Sequence, residues 1–348
     1  MPRLVEIDMA GGSEFVVELQ RIWDAGDAVF PVDQRLPAAA KEQVKAAMRV
    51  GEPVEPGDAL VVATSGSTGA PKGVVLTHGA VRASAEATNA RLAVTDEDHW
   101  LACLPLSHVG GLSVVTRALH AGTRLTVHPS FDPDAAIASG ATCVSLVATA
   151  MRRIDTSRFR TIVLGGSRPP ADRPPNAVAT YGMTETGSGV VYDGVPLDGV
   201  EIRFVDGEIQ LRCDMLMRCY RDGSDPKTAD GWLPTGDIGY LLEDGRLHVA
   251  GRKGDLIITG GENVWPEAVE DVLRTHPAVA DVIVRGVADD EWGHIVHADI
   301  VADGTPPTLA ALRAHVKETH PAFTAPRTIS VVDQIPRTPI GKPIRTHP

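Results

Sequence analysis

Residues 64–78 read TSGSTGAPKGVVLTH, packing glycines, hydroxyls and one lysine directly after the apolar run ALVV. Gly66, Gly69 and Gly73 free the backbone to turn N–H groups toward an anion. Thr64, Ser65, Ser67 and Thr68 add hydroxyl donors, and Lys72 adds a point charge. The chemistry such a set can do is phosphate binding. It is not a Walker loop, because Lys72 stands between Pro71 and Gly73 with no Ser or Thr after it. Four later stretches carry further polar groups beside glycines: YGMTETG (181–187), PTGDIG (234–239), GRKGDLIITGGENVWPEAVE (251–270) and PRTPIGKPIR (336–345).

The elements that must position these residues follow from pattern. ALVVAT reads as a buried strand and HGAVRASAEATNARLAV as a helix with Val81, Ala85 and Leu92 on one side. The expected order is therefore strand, glycine loop, Lys-Gly, helix. Strand and helix patterns then alternate through HWLACLPL, GLSVVTRALHAG, TRLTVH, TCVSLVATAMRRI, RTIVLGG and AVATYG. Such alternation predicts an α/β layered domain with ligand loops at strand ends. From Gly199 the texture changes to β-hairpins with Asp-Gly turns, in VEIRFVDGEIQLRC and again in PTGDIGYLLEDGRLHVAGR. Beyond Arg252 a compact α+β unit follows. The expected organisation is a large domain over 1–252 and a small mobile domain over 253–348, with Gly254 as the swivel.

The 348-residue chain is 43% hydrophobic and carries a net charge of −12. That field argues against a nucleic-acid or membrane-surface partner. The start has no basic segment leading into a long apolar one, and Cys103, Cys143, Cys213 and Cys219 form no CxxC pair. A cytoplasmic protein with free thiols is expected. The tail from Arg327 onward is basic and reads as largely solvated.

Taken in order, these motifs resemble those of the adenylate-forming enzymes: acyl-CoA ligases, luciferases and peptide-synthetase adenylation domains. The resemblance runs from about Val61 to the C-terminus. It implies a layered large domain with a β-rich subdomain and a small C-terminal domain. It implies ATP, Mg²⁺ and CoA, and two steps: a carboxylate attacks the α-phosphate to give an acyl-adenylate, then a thiol displaces AMP. By the same resemblance Lys342 bridges the substrate carboxylate and the α-phosphate, Thr184 donates to that phosphate, and Glu185 holds Mg²⁺. Thr64, Ser65, Gly66, Ser67, Thr68, Gly69 and Lys72 hold phosphates. Tyr181 and Gly182 on one side, and Gly165, Gly166 and Ser167 on the other, flank adenine. Asp237 and Arg252 take the ribose, and Gly260, Gly261 and Glu262 line the CoA path. Glycine at position 254 departs from the Asp, Lys or Ser common at that hinge.

Within the family, LPLSHVGGLSVVTRAL, VSLVATAMRR and residues 181–203 look like the o-succinylbenzoate–CoA ligases of menaquinone synthesis, especially short actinobacterial ones. That substrate has a second, unreactive carboxylate on its ring, for which Arg153 is the first candidate and Arg152 the second. His108, Gly187, Ser188 and Gly189 are expected around the acyl group. The alternative is a ligase or acyl-adenylate synthetase for another aryl or alkyl acid, acting on CoA or a carrier protein. Only 63 residues precede the phosphate loop, so an open acyl pocket, or one completed by a second subunit of a homodimer, is the expectation.

Overall fold

A computed structural model describes residues 1–65, 71–166, 168–170, 172–337 and 344–345. It divides into two compact units, Met1–Ile202 with Leu211–Leu233, and Arg203–Gln210 with Pro234–Pro348. This division by packing falls ahead of Arg252, the expected end of the large domain.

The first unit begins with β1 (Leu4–Ile7), α1 (Ser13–Asp24), β2 (Ala28–Pro31), α2 (Ala38–Ala47), β3 (Asp58–Ser65) and β4 (Pro71–Thr77). β1, β2 and β3 run parallel and β4 returns antiparallel to β3. The β-branched run around Val74 and Val75 explains the return: both residues are fully buried, as a central strand requires. The order is therefore strand, loop, strand, helix. α3 (His78–Arg91) starts only after β4, with Thr77 Oγ1 accepting from Ala80 N at 3.1 Å. Its inward face includes Val81 and Ala85 as expected, and Leu92 follows buried.

Next come β5 (His99–Ala102), α4 (Val109–Ala121), β6 (Arg124–Val127), α5 (Pro133–Ala138), β7 (Cys143–Leu146), α6 (Ala148–Met151), β8 (Thr161–Leu164), β9 (Ala177–Gly182), β10 (Gly189–Tyr192) and β11 (Val195–Pro196). They build one seven-stranded sheet in the order β11-β10-β9-β8-β7-β5-β6. Strands β5 to β9 are mutually parallel, while β10 and β11 turn back. α4 ends at Gly122 in the left-handed conformation, φ 66°, where the sequence places its stop.

β12 (Glu201–Val205) and β13 (Glu208–Arg212) form the first Asp-Gly hairpin, with Asp206 and Gly207 both at positive φ. β14 (Cys219–Tyr220) pairs with β4 and completes the first sheet. β15 (Leu233–Leu241) and β16 (Leu247–Arg252) give a four-stranded sheet ordered β12-β13-β15-β16. The rest of the second unit is β17 (Ile257–Thr259), β18 (Glu262–Val264), α7 (Pro266–Arg274), β19 (Val279–Asp289), β20 (Gly293–Ala302), α8 (Leu309–Lys317) and β21 (Thr328–Val331). Its core joins Val269 and Leu273 of α7, Leu312 and Val316 of α8, and Val282, Val284, Val296 and Ile300 of the sheet. Among the described residues no helix is long and apolar enough to cross a membrane.

Candidate active site

The phosphate-loop segment connects two paired strands, since Ser65 faces Pro71 and Thr64 faces Lys72 in the β3–β4 ladder. Gly66, Ser67, Thr68 and Gly69 lie outside the described residues, as do Ser167 and Lys342. Gly73 does not serve a loop. It pairs with Ala63 inside β4, and a methyl group there would overlap Met48 and the Cβ of Arg221. Its glycine is a packing requirement.

Thr184 and Glu185 lie in a single 3-10 turn, Thr184–Thr186, closed by Gly187 at φ 67°. Glu185 Oε1 accepts a 2.9 Å hydrogen bond from the Tyr220 hydroxyl. The Glu185 carbonyl accepts from Met217 N at 2.7 Å. Lys72 Nζ stands 4.9 Å from the centre of the Tyr220 ring. Burial, then the charge of Glu185, push the Tyr220 phenol above its ordinary range, so it donates rather than ionises. Tyr220 thus gathers Lys72 and Glu185, which are 113 positions apart in the numbering. Tyr181 is half-buried in β9, and Gly182 faces Gly189 across the β9–β10 pair. Gly165 and Gly166 follow β8, Gly166 at φ 85°.

His108 precedes α4, and its Nε2 lies 2.8 Å from Arg35 Nη2 and 3.6 Å from Asp33 Oδ2. A guanidinium only donates, so Nε2 is the acceptor in this contact. Burial works against the Asp33 charge, but hydrogen bonds from the Arg35 side chain and backbone outweigh it and hold the carboxyl far below its usual range. The N-terminal segment therefore supplies residues beside His108. Arg153 is exposed, with its guanidinium 5.4 Å from the Phe131 ring centre, and Arg152 lies exposed near Asp172 at 3.9 Å.

A different arginine is buried beside Ser188. Arg117, on α4, is 2% exposed. Its Nη2 donates to Ser113 Oγ at 2.8 Å and to Ser188 Oγ at 3.0 Å, and its Nε to the Ser113 carbonyl at 3.0 Å. The guanidinium stands 5.0 Å from the Trp100 ring centre. Nη1 has no hydrogen-bond partner, and no carboxylate pairs with the group among the described residues. Burial pulls this guanidinium down from its ordinary range, yet arginine stays charged in protein interiors.

In the second unit, Asp237 and Arg252 face each other across β15 and β16. Arg252 Nε pairs with Asp237 Oδ1 at 2.8 Å, and its Nη1 donates to the Thr235 carbonyl at 3.1 Å. Asp237 is 6% exposed. Gly254 occupies a 3-10 turn, Lys253–Asp255, with open space where a side chain would project. Gly260 and Gly261 turn between β17 and β18 at φ 57° and 85°, ahead of Glu262. A side chain at Gly260 would strike the Trp292 ring.

The model of the AMP-binding enzyme family matches residues 5–221, and that of the AMP-binding enzyme C-terminal domain matches residues 268–342. The chain belongs to the AMP-binding enzyme family. A Mycobacterium tuberculosis protein named "Probable 2-succinylbenzoate–CoA ligase" is 42% identical over 334 residues, covering 86% of each chain. The 2-succinylbenzoate–CoA ligase of Bacillus anthracis is 34% identical over 329 residues, 82% of this chain and 68% of that one. Among solved structures, the Bacillus subtilis o-succinylbenzoate CoA synthetase in complex with its acyl-adenylate intermediate superposes with a TM-score of 0.88. It is 28% identical, covering 98% of this chain and 87% of that one.

A divalent metal commonly accompanies nucleotide phosphates. Glu185, the expected metal-holding carboxylate, accepts from Tyr220 at Oε1 and has a second oxygen that could meet a cation. No cluster of three acidic, His or Cys side chains that could hold a metal occurs among the described residues. A lone carboxylate suits Mg²⁺, which takes most of its shell from phosphates and water. Sequence reasoning did not single out Tyr220, Arg117, Asp33 or Arg35. Arg117 lies within a quoted motif, but one arginine in an amphipathic helix gives no sign of its burial.

Proposed function

We propose that this enzyme converts o-succinylbenzoate to o-succinylbenzoyl-CoA at the expense of ATP. The observation that carries the substrate is Arg117, a buried guanidinium with no acidic partner among the described residues, bonded to Ser188. A buried charge is tolerated when something anionic completes it. The ring carboxylate of o-succinylbenzoate supplies such an anion, and an acid without a second carboxylate does not. Trp100 beside the guanidinium, and Ser113 with Ser188 below it, orient that contact. Arg153 stays a second candidate for the same role.

In the first step the aliphatic carboxylate oxygen attacks the α-phosphorus and pyrophosphate leaves. Both reactants are anions, so the protein's work is neutralisation and alignment. Lys342 places an ammonium between them, and Thr184 donates its hydroxyl to the α-phosphate. Lys72 and the hydroxyls of the phosphate loop hold the β- and γ-phosphates. Tyr181 and the strand end at Gly165 flank adenine, and Asp237 with Arg252 accepts the ribose. Glu185 would hold Mg²⁺, which when bound would supply neutralisation of the phosphate charge. In the second step the thiolate of CoA attacks the acyl carbon and AMP leaves. The small domain over 253–348 turns about Gly254 between the steps, so that Lys342 withdraws and Gly260, Gly261 and Glu262 line the thiol's approach. The four cysteines are free thiols, in keeping with a cytoplasmic enzyme.

The deciding assay is pyrophosphate release with o-succinylbenzoate against 4-oxo-4-phenylbutanoate, which lacks only the ring carboxylate. A preference of about 100-fold or more in kcat/KM is expected for losing a desolvated charge contact. Equal rates would remove the substrate assignment and leave an acid–CoA ligase of other specificity.

A further inference from the structure

Arg345 has a side chain only 13% exposed, and carboxylates surround it where the sequence led us to expect a solvated tail. Its Nη1 lies 3.1 Å from Asp255 Oδ2 and 3.0 Å from Glu267 Oε1, and its Nη2 lies 2.6 Å from Glu270 Oε1. Its Nε donates to the Val284 carbonyl at 3.2 Å. Those partners come from the turn after Gly254, from the first turns of α7 and from β19. Glu270 is itself fixed, accepting from Val284 N at 2.9 Å and from Arg274 at 3.1 Å. One residue earlier, Ile344 N donates to the Pro336 carbonyl at 2.9 Å. Arg337 pairs with Asp281 at 2.5 Å.

We infer that Arg345 is a positioning residue for adenylation: it clamps the end of the segment that carries Lys342 to the body of the second unit. This rests on the reading of Lys342 as the lysine that bridges the two anions. Lys342 is three residues from Arg345, so their Cα atoms are at most about 11 Å apart at ~3.6 Å per residue. A side chain is placed only as well as the backbone that carries it. Misplacing a reacting group by about 1 Å costs on the order of 100-fold in rate. A single exposed ion pair would anchor the tail weakly. Four contacts from one planar fork, on three elements, fix direction as well as place. Asp255 adjoins the proposed pivot at Gly254, so the clamp makes the lysine move with the unit and not independently of it.

The test separates the half-reactions, reading pyrophosphate release from the acid and ATP, and thioester formation from supplied acyl-adenylate and CoA. Removing Arg345 alone leaves three crowded carboxylates and threatens folding. The informative variant is therefore the pair Arg345→Gln with Glu267→Gln, which keeps the cluster's net charge, together with Arg345→Lys. The expected result is a fall of about 10- to 100-fold in kcat for pyrophosphate release, with KM for ATP and the thioester step within about threefold. Arg345→Lys, which keeps the charge and loses the fork, should fall between. Equal loss of both half-reactions would make Arg345 a folding residue only, and unchanged pyrophosphate release would also overturn the inference. Lys342→Ala run alongside isolates the premise: if it spares pyrophosphate release, the lysine's role fails on its own, whatever Arg345 does.

Discussion

Arg117 in the first unit is buried and Arg345 in the second is largely enclosed, and they live in opposite electrostatic company. Arg345 is wrapped by Asp255, Glu267 and Glu270, and although burial lowers its affinity for the proton, Glu270 and Glu267 more than restore it. Arg117 has two serines, a carbonyl and an indole face around it and no acid. A cation whose counter-charges are built into the protein has its work inside the fold. A cation buried without them destabilises the fold, and such a cost persists where a ligand offsets it.

The sharpest break of this comparison is to make both cations apolar. Arg345→Met should cost about 3–5 kcal/mol of stability, because three carboxylates lose their partner; urea unfolding monitored by circular dichroism reads it. Arg117→Met should leave the urea midpoint unchanged or raised, while kcat/KM for o-succinylbenzoate drops about 100- to 1,000-fold and KM for ATP holds. A large stability loss in Arg117→Met would mean that this arginine, too, is structural. Arg153→Ala in the same assay should change KM for the acid by less than about threefold, as an exposed side chain over Phe131 would. A larger rise would return the ring carboxylate to Arg153.

A smaller effect is in pH. Burial pushes the Glu267 carboxyl above its usual range against the pull of Arg345, with Glu270 and Asp255 adding to the rise. The native state then holds a proton that the unfolded chain releases earlier. Its contribution to stability is complete below the ordinary carboxylate pKa and is lost as pH rises through the raised native value. Glu267→Gln should flatten that slope by about 1 kcal/mol or less between mildly acidic and neutral buffer. A slope that persists would place the proton elsewhere in the cluster.

Much of the fold was legible in local pattern. The two Asp-Gly hairpins, the amphipathic α3, the Gly122 stop of α4 and the alternation around the parallel sheet all follow from residues within a few positions of each other. The N-terminal strands were not legible, because β1 and β2 are four residues each and carry too little periodicity to stand out. The β3–β4 return was missed because the expected order runs Lys-Gly from the glycine loop straight to the helix at His78, whereas Val74 and Val75 pair back onto β3.

By itself the sequence determined the family: its short motifs carry the resemblance that implies which groups meet phosphate, ribose and the two anions, since each motif needs only its own few residues and a tight turn. Only the tertiary structure decided what surrounds those groups. Tyr220 reaches Glu185 from 35 residues away, Arg35 reaches His108 from 73, and Ser188 reaches Arg117 from 71. Whether a charge is solvated, paired or buried alone depends on chain segments distant in sequence that packing brings together, and no local spacing encodes it.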